Sequence, residues 1–466
     1  MAVRSPARSF VAAATASLAL TVGCGRLALE LGPDAGAPLD ISTFQLLGAP
    51  LIFAPTSDGF GVNVVLRAGD PRQLQARVRD ETQAAWIAAG HSKSPASDIA
   101  QWSVSGLPPG RRYIYEICLQ QNDPLACDGR LYAGSAVTVR PAGAPFTFAI
   151  MTDQHIEPRD PVPLGSTIID DLWAPMEKTL LDVTADVAAS HADFVLSMGD
   201  MLDYHVFGFN APPPDSAWAR LAYLNFRRVM GETLGSAAHF PVIGNWDGES
   251  GCNTAVEIER SRSQRLLYMP GPRAATYAEG GSANGDYYAF TWGDALFVVL
   301  NVMTYTPTCH LLGLNPGAAD DWTLGATQLA WLETTLAHSK ARWKFTFIHH
   351  AVGGNAGNEF DTAYGRGGGR AAYVGEQATV HDMLRRYGVQ IFFYGHDHVF
   401  TDMVVDGVHY TLPGSAGAPW KFDATETGYD EYWPDSGYGR VNVSADRVTV
   451  DFVAMGGNVL STYSLP

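Results

Sequence analysis

Five short clusters of histidine, aspartate and asparagine are the residues of this 466-residue chain best suited to chemistry. Each cluster directly follows an apolar run that is typical of a buried strand. In chain order the candidates are Asp153, His155, Asp200, Asn245, Asp247, His349, His350, His396 and His398. Taken singly, each is more often a turn residue or an ordinary buried histidine. Together, imidazole and oxygen ligands favour zinc, iron or manganese over a thiolate site, so the joint pattern predicts a metal site.

Strands that alternate with helices are expected to position these clusters. The hydrophobic patterns predict strands over residues 146–151, 194–198, 240–243, 343–348 and 390–394, each ending just before a cluster. They predict helices over residues 170–190, 217–234, 327–337 and 379–387. A hairpin is predicted over residues 287–300, and strands within 403–412 and 441–463 are expected to complete a second sheet. Open α/β sheets bind ligands at the carboxyl ends of their strands, where these clusters fall.

The segment of residues 46–143 has a different rhythm, with short alternating runs separated by turn residues. Strands are predicted over residues 60–66, 101–107 and 112–118. A Leu-Pro-Pro-Gly sequence followed by Tyr113 and Tyr115 resembles the corner of an immunoglobulin or fibronectin type III sandwich. The segment has no cluster of residues with metal-ligand spacing. We therefore expect an all-β domain that packs against the chemical site or shapes its substrate.

The N-terminus resembles an export signal with a lipoprotein ending. Arg4 and Arg8 precede an apolar run, residues 10–22, that is too short to span a bilayer. The ending at Cys24 resembles a lipobox, apart from Thr21, and predicts cleavage before Cys24 and lipidation of its thiol. We therefore expect an exported lipoprotein of the bacterial cell envelope. An ordinary secretory signal with an incidental cysteine is the alternative.

Four cysteines remain beyond the proposed lipid anchor, in two local groups. In an oxidising compartment they predict two disulfides, Cys118 with Cys127 and Cys252 with Cys309. Four free buried thiols are the alternative, which export disfavours.

The bulk composition limits the possible partners. A hydrophobic content of 46% and a charged content of 17% indicate a folded globular protein. The net charge of -17 disfavours binding to nucleic acid or to an anionic membrane surface, since both need a basic field. A small phosphorylated substrate is compatible with this charge, because metal ions can reverse the local potential of a cleft. Membrane contact is expected only through a lipid on Cys24.

The ordered motifs Asp-x-His, Gly-Asp, Gly-Asn-x-Asp, His and Gly-His-x-His resemble the calcineurin-like metallophosphoesterase superfamily over about residues 146–420. The resemblance implies an α/β (α+β) four-layer fold, a β-sandwich flanked by helices. With the β-rich segment before it, the order of domains is similar to that of purple acid phosphatases. The expected organisation is a signal peptide (residues 1–24), a tether (25–45), an immunoglobulin or fibronectin III-like sandwich (46–143) and a metallophosphoesterase domain (144–466).

The resemblance also implies a centre of two metal ions, divalent or of mixed valence and drawn from iron, zinc and manganese. One ion would be held by Asp153, His155, Asp200 and His398. The other would be held by Asn245, His349 and His396, with Asp200 as the bridge. The adjacent His350 would orient a ligand or the phosphate.

The activity implied is that of a metal-dependent phosphoric ester hydrolase, a phosphatase or a phosphodiesterase. A metal-bound hydroxide would attack a phosphate mono- or diester, with no covalent enzyme intermediate. The alternative is a cell-surface binding or scaffold protein that retains the fold with weakened catalysis.

Two positions depart from the family pattern. Trp246 occupies the place of a histidine that commonly assists the leaving group, so Asp247 is the first candidate replacement, ahead of His205 and His310. Asp203 occupies the place of the iron-binding tyrosine of purple acid phosphatases. A coloured ferric tyrosinate site is therefore not expected.

A glycine-rich stretch, residues 365–370, carries Arg366 and Arg370. These arginines could close over the phosphate, which Asn245 would also contact, because guanidinium groups bind pairs of oxygens. An exposed loop with solubilising charge is an equal alternative. The stretch lacks the Gly-Lys-Ser/Thr ending of a nucleotide-binding P-loop, so that interpretation is rejected.

Overall fold

The computed structural model describes residues 40–90, 92–156, 167–203, 216–249, 253–305, 322–350, 352, 375–418 and 429–466. Several predictions fall outside these residues, namely those for the signal peptide, Cys24, His205, Cys252, Cys309, His310, Arg366 and Arg370. Residues 40–466 pack as one unit. Within the described part of the chain, no helix has the length and apolar character needed to cross a bilayer.

Twenty-one strands and five α-helices are formed by the described residues. The strands are β1 (Gln45–Leu46), β2 (Leu51–Thr56), β3 (Gly59–Ala68), β4 (Leu74–Asp80), β5 (Ile87–Ala88), β6 (Ile99–Val104), β7 (Arg112–Leu119), β8 (Arg130–Val137), β9 (Phe146–Met151), β10 (Phe194–Met198), β11 (Ala238–Val242), β12 (Tyr288–Trp292), β13 (Ala295–Val299), β14 (Trp343–Phe347), β15 (Ile391–Phe393), β16 (Phe400–Val405), β17 (Val408–Pro413), β18 (Glu431–Trp433), β19 (Gly437–Val443), β20 (Val448–Ala454) and β21 (Val459–Leu465). The helices are α1 (Thr167–Ala189), α2 (Ser216–Ser236), α3 (Ala255–Tyr268), α4 (Gly325–His338) and α5 (Gly375–Arg386).

Two large sheets carry the fold. The ten-stranded sheet has the order β1-β3-β2-β11-β10-β9-β19-β20-β21, with β6 also paired to β3. The seven-stranded sheet has the order β12-β13-β14-β15-β17-β16-β18. Strands β9, β10 and β11 run parallel in the first sheet, and β13, β14 and β15 run parallel in the second. Parallel strands place their carboxyl ends at one edge, so each sheet presents its strand ends together.

Three apolar cores separate four layers. Alternate residues of a strand face opposite sides, so Phe194 of β10 packs between the two sheets while Val195 packs against α1 and α2. The core between the sheets is rich in aromatic rings, with Phe148 5.2 Å from Phe194 and 5.1 Å from Phe297 between centroids. A third core joins the seven-stranded sheet to α4 and α5. The predicted sandwich flanked by helices is confirmed.

Helix α3 was not among the predicted elements. It begins with a capping box, in which the Glu257 N–H donates to Thr254 Oγ1 at 3.3 Å and the Thr254 N–H donates to Glu257 Oε2 at 2.7 Å. The sequence pattern Thr-x-x-Glu is a recognised start signal, so this helix was predictable from its first turn.

The β-rich N-terminal segment divides between two sheets. Strands β4, β5, β7 and β8 form a separate four-stranded sheet. Strands β1, β2, β3 and β6 instead extend the ten-stranded sheet, where Phe53 of β2 pairs in parallel with His239 of β11. The predicted disulfide between Cys118 and Cys127 is present, with Cα atoms 5.4 Å apart.

The C-terminal strands also divide, and the prediction that they complete a single second sheet is wrong. Strands β16 and β17 pair within the seven-stranded sheet, whereas β19 pairs antiparallel with β9 in the ten-stranded sheet. Residues 146 and 443 are partners in that last pairing. Periodicity defines a strand's faces but carries no information about so distant a partner.

Candidate metal centre

The parallel strands of both sheets deliver polar residues to one place. In the ten-stranded sheet, β9 is followed by Asp153 and His155, β10 by Asp200 and β11 by Asn245. In the seven-stranded sheet, β14 is followed by His349, and β15 by His396 and His398. The structure therefore brings together all seven residues that the sequence indicated as metal ligands.

The first group of candidate ligands is Asp153, His155, Asp200 and His398, which each offer an atom within 4.8 Å of the others. His398 Nε2 lies 3.2 Å from Asp153 Oδ1, and His155 Nε2 lies 3.6 Å from Asp200 Oδ2. All four side chains are buried. Such a set of two imidazoles and two carboxylates suits a divalent transition metal.

The second group shares Asp200 with the first and adds His349 and His396. His349 Nε2 lies 3.1 Å from Asp200 Oδ2 and 3.1 Å from Asn245 Oδ1. His396 Nδ1 lies 3.0 Å from the same Asn245 oxygen. Asp200 thus belongs to both groups, which is the geometry that a bridging carboxylate requires.

The arrangement of lone pairs shows that these residues fit metal ions. His349 Nδ1 lies 2.9 Å from the Met198 carbonyl oxygen, so this nitrogen carries a proton. Its Nε2 faces the carboxylate and amide oxygens, where a metal ion would take the place of the second proton of the imidazolium. His155 Nε2 and His398 Nε2 lie only 3.2 Å apart. Acceptor atoms that converge in a buried space are satisfied by a cation, and imidazoles oriented through their other nitrogen are typical metal ligands.

Burial and neighbouring charges shift the pKa values within the centre. Burial opposes the charging of His349, but the Asp200 and Asp153 carboxylates outweigh it and raise the pKa of His349 to about 10. Burial lowers the pKa of His155 to about 4 despite the opposing effect of Asp200. Burial also opposes ionisation of Asp153, yet His398 and the other histidines lower its pKa below the usual value. The centre keeps Asp153 charged and attracts positive charge.

Five of the candidate ligands have a left-handed backbone, which residues other than glycine seldom adopt. Their φ angles are 55° at Asp153, 47° at His155, 49° at Asp200, 81° at His396 and 60° at His398. Backbone hydrogen bonds hold two of these turns, because the Asp153 N–H donates to Gly199 O at 3.0 Å and the His155 N–H donates to Asp200 O at 2.8 Å. Strain of this kind concentrates at functional sites and persists because the surrounding fold maintains it.

The two glycines of the Gly-Asp and Gly-Asn motifs allow close approach of the strand ends. A Cβ atom at Gly199 would lie 2.4 Å from the ring of His349, and one at Gly244 would lie 2.1 Å from the backbone nitrogen of Asp200. No side chain fits at either position without displacing a candidate ligand.

The carboxyl group of Asp247, the predicted proton donor, faces backbone amides. Its Oδ1 accepts from the Leu202 N–H at 3.0 Å and its Oδ2 from the Gly244 N–H at 2.8 Å. Burial and the nearby Asp200 charge raise the pKa of Asp247 to about 7. Both carboxyl oxygens therefore hold backbone amides at two strand ends.

His350 and Asp203 are both buried beside the candidate ligands. The His350 ring stacks on Trp322 with centroids 4.4 Å apart and lies 4.5 Å from the ring of His396. It is therefore placed to orient His396, one of the two roles that the sequence suggested. The Asp203 N–H donates to Ile156 O at 3.0 Å.

A buried ion pair that involves Glu249, four residues after Asn245, was not predicted, because α3 was not predicted. Arg265 of α3 and Glu249 are fully buried, with Arg265 Nε 2.5 Å from Glu249 Oε1. Arg262 Nε also contacts Glu249 Oε2 at 3.3 Å, and Arg265 Nη2 donates to Asn284 O at 2.9 Å. Apart from the capping box that marks α3, the sequence contains no signal for this pairing.

A buried hydrogen-bonded chain behind Asp153 and His155 was also missed. Gln154 Nε2 donates to Ser197 Oγ at 3.1 Å, and Ser197 Oγ lies 2.8 Å from His239 Nε2. Burial, with Arg227 nearby, lowers the pKa of His239 to about 3, so this histidine is neutral. No sequence motif links these three residues, which the register of β10 and β11 brings together.

Comparison with known proteins agrees with the geometry. The chain resembles the structure of PhoD, with 15% identity, a TM-score of 0.63, and coverage of 90% of this chain and 89% of that one. It also resembles a purple acid phosphatase, PPD1 from yellow lupin (Lupinus luteus) seeds, with 13% identity, a TM-score of 0.60, and coverage of 90% and 74%. At these identities the likeness shows a shared fold. No curated protein sequence is significantly similar to this chain.

The family model of calcineurin-like phosphoesterases matches residues 146–400, which is more than half of the chain. The matched region contains every candidate ligand from Asp153 to His398. The chain therefore belongs to the calcineurin-like phosphoesterase family and is a metal-dependent phosphoesterase.

Proposed function

We propose that the protein hydrolyses phosphate mono- or diesters at a centre of two metal ions. The observation that carries this proposal is the position of Asp200, which belongs to both groups of candidate ligands. Asp153, His155 and His398 complete one group, and His349 and His396 complete the other. The metals are drawn from iron, zinc and manganese, which accept this mixture of imidazole and carboxylate.

Two bound cations supply positive charge that neutralises the phosphate and lowers the pKa of water. The chain's own residues set the geometry. The Met198 carbonyl fixes the orientation of the His349 ring, and the Trp246 N–H donates to Asp200 Oδ1 at 2.8 Å, which holds the shared carboxylate in place. Asn245 directs its oxygen into the second group, so its amide nitrogen is the part left to contact a phosphate oxygen.

The decisive experiment measures hydrolysis and bound metal on the same sample. Protein reconstituted with manganese, zinc or iron is assayed with p-nitrophenyl phosphate and with bis-p-nitrophenyl phosphate, and its metal content is determined. Turnover of either ester with about two ions per chain supports the proposal. Loaded protein that turns over neither ester contradicts it and favours the binding or scaffold function.

We also propose export and attachment to the membrane through a lipid on Cys24. The signal-like N-terminus supports this proposal, and so does the Cys118–Cys127 disulfide, because disulfides persist in oxidising compartments. A second disulfide, Cys252 with Cys309, belongs to the same proposal. A Cys24→Ser variant is expected to move from the membrane fraction to the soluble fraction. Unchanged membrane association of that variant contradicts lipid attachment.

Arg366 and Arg370 are proposed to contact the phosphate. Replacing both with alanine is expected to raise KM by about tenfold or more, since charge-assisted hydrogen bonds contribute about 1.5–3 kcal/mol each. A matched control replaces Arg260, on the exposed side of α3, with alanine. Equal KM values for the double variant and the control would assign both arginines to the solvent-exposed loop instead.

A further inference from the structure

Among the described residues of the candidate centre, two neighbours retain some exposure to solvent. The buried candidate ligands have relative exposures of 0–2%, as in His349 at 0% and His398 at 2%. Asn245 and Trp246 are half-buried. A substrate that approaches the ligands beside these two side chains meets an indole, the larger of them.

Trp246 lies against both groups of ligands. Its backbone N–H donates to Oδ1 of Asp200, the carboxylate that the groups share, at 2.8 Å. Its ring lies 5.8 Å from the ring of His155, at an interplanar angle of 68°. The indole thus borders the position where a phosphate held at the centre would carry its ester group.

The chemistry of these two side chains restricts the leaving group. An indole N–H and an amide N–H donate hydrogen bonds but do not release protons near neutral pH. Asp247, the nearest carboxyl group in the sequence, holds the backbone amides of Leu202 and Gly244. Beside Asn245 and Trp246 the described residues therefore offer a departing alcohol no exposed proton donor, since Asp247 is fully buried. This favours alcohols that leave readily as their anions, which aromatic alcohols do better than aliphatic ones.

The shape of the indole imposes a second, independent restriction. A flat apolar ring packs most favourably against another aromatic ring, in an offset or edge-to-face arrangement. The leaving group of an aryl ester is both weakly basic and flat. Building on the phosphoesterase function proposed above, we propose that the site selects phosphate esters of aromatic alcohols and that Trp246 is the surface on which the aryl group packs.

The reaction is balanced without any further reactant. The oxygen of a water molecule forms a bond to phosphorus as the bond from phosphorus to the aryl oxygen breaks. The aryl oxide takes the electron pair of the broken bond, and the water proton passes to solvent. The products are phosphate, or a phosphate monoester from a diester, and the aromatic alcohol once its oxide is protonated by solvent.

Binding of non-hydrolysable phosphonates tests the packing separately from catalysis. Calorimetry on metal-loaded protein compares phenylphosphonate with cyclohexylphosphonate, which has a ring of similar size that is not flat. The wild type is expected to bind phenylphosphonate about 3- to 10-fold more tightly, the range that one aromatic pair contributes. Trp246→Leu is expected to abolish this preference and Trp246→Phe to retain most of it. Metal content of each variant is the control for an intact centre.

Kinetics test the leaving group. The wild-type kcat/KM is expected to fall steeply from p-nitrophenyl phosphate to phenyl phosphate, and Trp246→His is expected to flatten this dependence by supplying a proton donor. The inference is overturned if the wild type binds the two phosphonates equally, or if Trp246→Leu weakens the binding of both by the same factor. Hydrolysis of either ester would still support the proposed function in that case. If the loaded wild type hydrolyses no ester, the proposed function fails and this inference fails with it.

Discussion

Residues 245–249 contribute to two buried groups of polar and charged residues, which differ in how their charges are balanced. In the ligand group, Asp200 and Asn245 direct oxygen atoms at the same His349 nitrogen. In the other group, Glu249 accepts from Arg265 and Arg262, and Arg265 also donates to a backbone carbonyl. Burial opposes the charging of Arg265, but Glu249 outweighs it and raises the pKa of Arg265.

This difference distinguishes the ligand group, a candidate metal site, from the group of Glu249 and Arg265, which supports the structure. A buried ion pair whose hydrogen bonds are complete needs no further partner. In the ligand group, buried oxygen and nitrogen atoms point at one another and a bound cation would stabilise them. The surrounding fold maintains the left-handed backbone that holds them there. Replacing residues in the two groups should therefore affect metal binding in one and stability in the other.

The largest effect is expected for Asp200→Ala, which removes the carboxylate that both groups of candidate ligands share. Activity should fall by more than about 100-fold, the upper limit for residues that only orient a ligand. Bound metal should fall with it, while circular dichroism shows an intact fold. Full metal content and activity in this variant would show that Asp200 is not needed for metal binding, and the ligand group would no longer differ from the structural one.

The opposite pattern is expected for Glu249→Ala, which leaves Arg265 buried without its carboxylate. The free energy of unfolding should fall by about 3–5 kcal/mol, measured by urea titration. A double variant, Glu249→Leu with Arg265→Met, is the matched control and should recover most of this loss, because it removes both charges together. If the double variant is as unstable as the single one, the unpaired charge of Arg265 is not the cause of the lost stability.

A smaller effect is expected for the neutral His239. Its pKa is about 3 in the folded protein and about 6.5 when unfolded. Between these values the unfolded chain binds the additional proton, so this histidine makes stability rise with pH and has no further effect above about pH 6.5. The contribution amounts to about 3 kcal/mol from pH 4 to pH 6.5.

Subtracting the profile of His239→Phe from that of the wild type isolates this contribution from the carboxylates, which titrate in both proteins. Urea unfolding at several pH values provides both profiles. A difference that does not change with pH would show that folding leaves the pKa of His239 unchanged.

The smallest effect is expected for the disulfide of the four-stranded sheet. Replacing Cys118 and Cys127 with alanine opens a short loop and should lower the free energy of unfolding by about 2–3 kcal/mol. Metal content and kcat should not change, because this sheet contains none of the seven residues proposed to hold the metal centre. A coupled loss of metal would show that the four-stranded sheet supports the centre directly.

The parts of the centre that were predictable from sequence are those encoded locally. Asp153, Asp200 and His349 each follow an apolar strand within two residues, and parallel strands necessarily end together. The motif glycines were visible for the same reason, although the close approach of Gly199 to the His349 ring appears only in three dimensions.

The remaining features depend on contacts between distant residues. Asp247 lies within a ligand motif, yet its orientation is decided by the backbone of Leu202, 45 residues away. The pairing of Phe53 with His239, which extends the ten-stranded sheet, has no local signature. The left-handed turns at the ligands are uncommon even for aspartate and histidine, so local preference does not predict them.

The supply of ligands by both sheets has a consequence for how the protein matures. An unfolded chain offers a metal ion only local pairs, such as Asp153 with His155 or His396 with His398. The complete centre exists only after the two sheets have closed on each other, since Asp200 and His349 belong to different sheets. Closing contacts so far apart in sequence is a late step of folding. We therefore expect metal to bind after folding, and refolding the protein first and adding metal afterwards should give more active enzyme than refolding it with metal present.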